Sequence, residues 1–281
     1  MSVSTYFKNL FYIYTSPKNK KAAEVVLLGA ICGDIIGSYY ESNATKDLKF
    51  SLFTPYSRIT DDTVCSIGIA DALVQREPFA GRLQFWCRKY PRAGYGGMFR
   101  NWIYSDTMEP YKSWGNGSAM RVSAVGASAT SIEEVLRLAK ESAEITHNHP
   151  EGIKGAQAVA LAIWLSLFGY NKQEIQEEIE KRFDYNLHRQ YKDIHANYGF
   201  DVSCQGSVPE AIICFLESED YESAVRYAVA LGGDADTMAA IAGSIAAAFY
   251  GEIPAHILIE ANKLIPDEMN VLINKFNKKI K

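Results

Sequence analysis

Three glycines spaced by four residues, Gly29, Gly33 and Gly37 in "EVVLLGAICGDIIGSYY", set the strongest limit on what this chain can fold into. The segment has the apolar content of a buried helix, and a spacing of four aligns the glycines along one side of it. A stripe without side chains admits another backbone at close range. The segment therefore predicts a helix packed tightly against a partner. A dinucleotide-binding loop has little support, because GxxxGxxxG differs from GxGxxG and no clear strand precedes it.

Helical punctuation recurs along the chain. Ser131 with Glu134 forms a capping-box pattern, and Ile132, Val135, Leu136 and Ala139 supply an apolar face behind it. A largely buried helix is expected from about Gly152 to Phe168, and Asn171 with Glu174 starts another. Ser207, Pro209 and Glu210 read as N-cap, early proline and capping-box acid ahead of "AIICFLE". Pro254 precedes "AHILIEANKLI", and the closing "DEMNVLINKFNKKIK" runs from acidic to basic, as a helix dipole favours. Alternating strand-like runs are scarce. The expected fold is all-α, a compact single-domain multi-helix orthogonal bundle over residues 21–281, with 1–20 an N-terminal extension or short first helix.

Lys plus Arg number 29 against 33 Asp plus Glu, a net charge of -4 that leaves no electrostatic footprint for nucleic acid or an anionic membrane. The five cysteines form no CxxC pair, and an odd number excludes complete internal pairing, which suits a reducing compartment. The first twenty residues lack the order of a signal peptide, and the apolar stretch from Met238 to Phe249 is shorter than the roughly 20 residues of a typical span. A cytoplasmic, monomeric protein with no membrane and no obligate nucleic-acid partner is expected.

Two acidic clusters stand at the mouths of apolar helices: Asp61 and Asp62 in "TDDT", and Asp234 and Asp236 before Thr237 in "GGDADT". One acid at each helix start is explained by capping and by the helix dipole. Two at each exceed what a single cap uses. Adjacent, poorly solvated carboxylates raise a pKa or recruit a cation. If the clusters meet, four carboxylates balance two divalent cations, with Thr60, Thr63 or Thr237 hydroxyls completing all-oxygen shells suited to Mg²⁺, Mn²⁺ or Ca²⁺. Paired helix caps and another acidic function stand beside that reading.

Taken together and in order, "GDIIGSYYE" at 33–41, "TDDT" at 60–63, "GNGSAMR" at 115–121 and "GGDADT" at 232–237 resemble the ADP-ribosylglycohydrolase family. The resemblance implies a compact all-α fold carrying two Mg²⁺ or Mn²⁺ ions in a cleft. Thr60, Asp61 and Asp62 match its first ligand motif, and Asp234, Asp236 and Thr237 its second. Asn116, Gly117, Ser118, Ala119 and Met120 match a loop set against the ADP-ribose phosphates and distal ribose. Glu41 resembles a glutamate used near the metals by serine-directed relatives, and Asp34 takes a supporting role. The implied activity is metal-dependent hydrolysis of the bond joining ADP-ribose to a protein side chain or small acceptor, with Glu41, Asp62 and Asp236 as catalytic residues. An ADP-ribosylated protein or small ADP-ribose conjugate is the implied partner.

Around this frame, Tyr95 and Phe99 in the glycine-rich "YPRAGYGGMF" are candidates to stack on a flat ring, and His149 either contacts substrate or stabilises its own loop. Arg121 either pairs with phosphate or makes a salt bridge, and Cys204 reads as a small buried residue. Two alternatives remain: a catalytically silent ADP-ribose-binding or crystallin-like protein, and a metal-dependent phosphoester hydrolase.

Overall fold

The glycine stripe is the seam of the molecule. The computed structural model describes residues 18–280, and the expected extension or first helix at 1–20 lies outside them apart from its last three residues. Helix α1 (Lys20–Gly37) runs antiparallel along α13 (Ala235–Tyr250). A Cβ on Gly33 would stand 2.1 Å from the Ala239 carbonyl oxygen, and one on Gly37 2.5 Å from that of Ala235. Further along, a Cβ on Gly29 would meet Ala247 Cβ at 2.5 Å and the Gly243 carbonyl at 2.7 Å. Only hydrogen side chains fit, so the two backbones are in contact. The Tyr221 hydroxyl donates to the Gly29 carbonyl (2.8 Å) and locks the seam from the side.

Around this pair the described residues form an all-α multi-helix bundle, with one isolated bridge, Gly115 to Ser203, as their extended pairing. The remaining helices, in order, are α2 (Asp61–Gln75), α3 (Phe79–Lys89), α4 (Gly97–Ile103), α5 (Gly117–Met120), α6 (Ser123–Ser128), α7 (Ile132–Glu144), α8 (Pro150–Leu167), α9 (Lys172–Phe183), α10 (Tyr191–His195), α11 (Cys204–Glu217), α12 (Tyr221–Ala230), α14 (Ala255–Asn262) and α15 (Asp267–Ile280). Helices α1, α8 and α13 are rich in fully buried Ala, Ile and Leu, which places the core between them. No helix of the described residues is long and apolar enough to cross a membrane.

Local signals set most helix starts. Asn171 and Glu174 close a reciprocal capping box on α9. Ser131 accepts from Glu134 N, yet the Glu134 carboxylate returns to Thr130 N (2.7 Å) and Thr130 Oγ1 (2.6 Å), so the expected box is half formed. Helix α8 begins two residues before the expected Gly152, because Pro150 suits the first turn and His149 Nδ1 accepts from Glu151 N. Helix α11 corrects the expectation at Ser207 more deeply. Its cap is Ser203, and Pro209 lies inside the helix. The earlier start is imposed by tertiary pairing: Cys204 N donates to Trp114 O (2.9 Å) and Asn116 N to Val202 O (2.8 Å).

Gly33→Ala should cost more than ~3 kcal/mol in urea unfolding, since its methyl meets backbone rather than a movable side chain. Gly81→Ala, on α3 with nothing within 4 Å, should be neutral or stabilising by up to ~1 kcal/mol. Equal effects at the two positions would deny the seam its structural weight.

Candidate metal centre

Antiparallel pairing brings the C-terminal end of α1 to the N-terminal end of α13, and Asp34 then fixes the start of α2 beside them. The fully buried Asp34 carboxylate accepts from Thr60 N (3.0 Å), Thr60 Oγ1 (2.6 Å), Thr63 N (3.1 Å) and the Thr63 hydroxyl. Those donors include backbone N–H groups that the first turn of a helix leaves unpaired. Asp34 thus caps α2 from another helix, and the turn so held carries Asp61 and Asp62. Burial raises the Asp34 pKa, against the pull of these hydrogen bonds.

On the facing side, Asp234 is the cap residue of α13 but makes no capping bond with its side chain. Its Oδ2 accepts from Asn116 Nδ2 (2.8 Å) instead. The turn before it is tied down by Lys46, whose ammonium donates to the carbonyls of His195 (2.7 Å), Tyr198 (2.8 Å) and Leu231 (2.6 Å). Asp236 Oδ1 accepts from Thr237 N (2.9 Å), and the Thr237 hydroxyl lies 3.4 Å from Asp62 Oδ2.

The two acidic motifs therefore meet. Carboxylate oxygens of Asp34, Asp62 and Asp236 lie within 4.8 Å of one another, as do those of Glu41, Asp234 and Asp236. Asp236 belongs to both groups. Asp61 borders the same cavity but joins neither. Among the described residues, every ion pair lies elsewhere. Burial, then Asp34 and Asp61, drives the Asp62 pKa well up, and burial with Asp62 and Asp234 does the same to Asp236. Asp61 is pushed up to about 7 by burial and by Asp34. Glu41 is raised by burial and Asp234, with Arg58 opposing.

Hard divalent cations fit this donor set. Every candidate ligand atom is oxygen, and Asp62 Oδ1 is buried without a partner. Paired helix caps do not account for the arrangement, since Asp234 leaves its own helix uncapped and Asp62 Oδ1 caps nothing.

Above the acids opens a cavity of about 300 Å³. Asp62, Asp234, Asp236 and Thr237 line it, together with Gly94, Gly96, Gly97 and Phe99 from one stretch and Gly115, Asn116 and Gly117 from another. Met120 lines it too, its sulfur 3.7 Å from the Thr237 hydroxyl. Of the residues singled out in the sequence, Glu41, Asp61, Asp62, Phe99, Asn116, Gly117, Met120, Asp234, Asp236 and Thr237 border this space. Thr60 lies behind them, its hydroxyl bonded to Asp34.

Four others stand away from the lining. The Ser118 hydroxyl donates to Gly152 O (2.7 Å) and Ala119 is buried beside it. The Tyr95 hydroxyl donates to Tyr90 O (2.9 Å), and His149 caps α8. Phe99 stacks on Trp102 with centroids 5.6 Å apart, so one face is already covered. Among the described residues Arg121 makes no ion pair, which corrects the salt-bridge alternative; its Nη2 donates to Ser142 O and Thr146 Oγ1 instead. Cys204 donates to Gly115 O (3.1 Å), and burial lifts its pKa to about 12, consistent with an inert thiol. Sequence reasoning left out Tyr111 and His147, which border the cavity. His147 was visible in "THNHPEG", but its distinction from His149 depends on which ring faces inward.

A sequence profile of the ADP-ribosylglycohydrolase family matches residues 15–280. A protein named ADP-ribosylhydrolase ARH3 from Homo sapiens is 29% identical over 305 aligned residues, taking in 80% of this chain and 84% of that one. An uncharacterized protein of Archaeoglobus fulgidus is 28% identical over 274 residues, with 81% and 87% covered. In fold, the chain resembles a solved structure described as an ADP-ribosylglycohydrolase-related protein complex, with a TM-score of 0.72 at 23% identity over 94% of this chain and 99% of that one.

The raised carboxylates make a signed stability statement for the metal-free protein. With Asp61 near 7 when folded and near 3.8 otherwise, the native state binds the extra proton between those values. Its contribution is complete below about pH 4 and is lost as pH rises through 7. In EDTA, unfolding free energy should fall by ~2–4 kcal/mol between pH 5 and 7.5 from this group, and Asp61→Asn should flatten the slope. Millimolar Mg²⁺ or Mn²⁺ should restore stability at pH 7.5; a metal-free profile that instead climbs across this window would contradict the assignment.

Proposed function

The chain belongs to the ADP-ribosylglycohydrolase family, and from that premise we propose that it hydrolyses the bond between the anomeric carbon of ADP-ribose and an acceptor oxygen or nitrogen, with two divalent cations, Mg²⁺ or Mn²⁺. The observation that carries this reading is Asp236, shared by two groups of three carboxylates bordering a cavity of about 300 Å³. Asp61, Asp62, Asp234 and Asp236, with the hydroxyls of Thr60 and Thr237, would hold the ions. When bound, such a pair supplies Lewis acidity and a fixed anchor for ribose hydroxyls and water.

The chain's own groups do the rest. Glu41 lines the cavity with a carboxyl whose pKa burial and Asp234 have raised, which suits it to take a proton from attacking water. Asp62 and Asp236 orient the reacting groups from the first turns of two different helices, each held in the protein interior rather than by solvent. Asn116 holds Asp234 in place while bordering the substrate space. Gly115 and Gly117 let a ligand approach the backbone closely, and Met120 and Phe99 offer apolar surface. Ser118, Ala119, Tyr95 and His149 support that surface from behind.

Serine-linked ADP-ribose is the proposed substrate, on a protein or a small conjugate, resting on the match of Glu41 to the serine-directed glutamate. On chemically defined substrates at matched concentration, ADP-ribose should be released faster from the serine linkage than from the arginine linkage. Glu41→Gln should depress serine-linked turnover ~10²- to 10³-fold while leaving the melting temperature nearly unchanged. Faster arginine-linked release would reject the linkage and keep the hydrolase. Tight ADP-ribose binding with no product from either substrate would favour a silent binding protein, and phosphate release would favour a phosphoester hydrolase.

Asp236→Asn should abolish turnover at saturating metal and weaken Mn²⁺ binding measured by calorimetry. Metal-free protein should be no less stable after the change, because one repelling carboxylate is gone. Unchanged Mn²⁺ affinity would remove Asp236 from the site.

A further inference from the structure

Bordering the cavity is a buried guanidinium that, among the described residues, forms no ion pair with a carboxylate. Arg121 follows α5 directly and is 1% exposed. Its Nη2 donates to Ser142 O (2.8 Å) and to Thr146 Oγ1 (2.8 Å), its Nε is buried without a partner, and its Cζ lies 5.9 Å from the Phe99 ring centroid. Burying a cation without a counter-ion is costly. The folded chain tolerates that cost at a position bordering the ligand space.

The consequence is carried by Thr146. Among the described residues its hydroxyl has two hydrogen-bond partners, Arg121 Nη2 and, at 2.7 Å, His147 Nδ1. Arginine donates and never accepts, so the hydroxyl oxygen is the acceptor in the first contact. The hydroxyl proton then has one acceptor in reach, the Nδ1 lone pair of His147. With Nδ1 accepting, the ring proton of neutral His147 belongs on Nε2.

Among the described residues that Nε2 has no hydrogen-bond partner, the one side-chain bond of the ring being at Nδ1. It faces the glycine loop, 3.1 Å and 3.6 Å from where Cβ atoms on Gly117 and Gly115 would stand, and both glycines border the cavity. His147 is itself 6% exposed, and its backbone is pinned by His147 N donating to Ala143 O (2.7 Å). Burial and the Arg121 charge hold its pKa well below the usual histidine range, so the ring stays neutral.

We infer that Arg121 is a positioning residue: through the Thr146 hydroxyl it fixes His147 as the Nε2–H tautomer, aiming a permanent hydrogen-bond donor at an acceptor oxygen of the ligand beside Gly115 and Gly117. The identity of that ligand as ADP-ribose rests on the functional reading above; the tautomer does not.

The test is nitrogen-15 NMR of the full chain labelled at its five histidines, with the His147 signals assigned by their loss in His147→Gln. At neutral pH the wild-type ring should carry its proton on Nε2 alone. Thr146→Val, nearly isosteric but without the hydroxyl, should yield a mixture of tautomers, and Thr146→Ser should restore the wild-type pattern. Arg121→Met should scramble it as Thr146→Val does; if that variant does not fold, the two Thr146 variants decide. ADP-ribose affinity by calorimetry should fall about 10- to 100-fold in Thr146→Val and return in Thr146→Ser. A wild-type ring protonated on Nδ1, or a pattern unchanged in folded Thr146→Val or Arg121→Met, overturns the inference. Failure of the wild type to bind ADP-ribose while the tautomer pattern follows these expectations would count against the functional reading alone.

Discussion

Backbone contact between α1 and α13 is the constraint from which the site follows. Because Gly29, Gly33 and Gly37 present only hydrogen to α13, the two helices lie closer than side chains would permit. Their antiparallel sense fixes which ends coincide. Asp34 and Glu41, at and beyond the end of α1, arrive beside Asp234 and Asp236 at the start of α13. Separating the seam by a single methyl would shift one side of the carboxylate cluster against the other, since Asp34 rides on α1 while Asp234 and Asp236 stand at the start of α13.

Charge is managed in two different ways within a few ångströms. Asp34 is satisfied internally, by two backbone N–H groups and two hydroxyls at the start of α2. Asp62 has a buried oxygen with no partner, and Asp236 receives one backbone bond. The first arrangement builds structure. The second leaves lone pairs directed at one another, an arrangement that becomes favourable when a cation enters and is repulsive otherwise. Elsewhere in the lining of the same cavity the sign reverses, with Arg121 buried among neutral acceptors. The cavity lining thus combines carboxylates suited to cations with a buried guanidinium of the opposite charge.

Much of this was legible before folding was considered. The helical period, the Asn171 cap, the acidic start and basic end of α15, and the placement of Asp61, Asp62, Asp234 and Asp236 in or beside first turns depend on residues close in sequence, and they were read correctly. The start of α11 was misplaced, because Ser203 wins the cap through pairing with Trp114 and Asn116, far away in the chain. The substrate loop was half legible. Asn116, Gly117 and Met120 face the cavity, while Ser118 and Ala119, in the same string of letters, face the protein interior.

By itself the sequence determined the class of fold, the tight helix pair and the two acidic motifs, since each is encoded by spacing within one segment. Tertiary structure alone decided that the motifs converge on Asp236, that Asp34 caps a helix other than its own, and that His147 rather than His149 faces the ligand space. The physical reason is the same in each case. A side chain's partners across the fold are set by which helix ends meet, and a local pattern of residues encodes a helix's readiness for close approach but not which helix answers it or in which sense that helix runs.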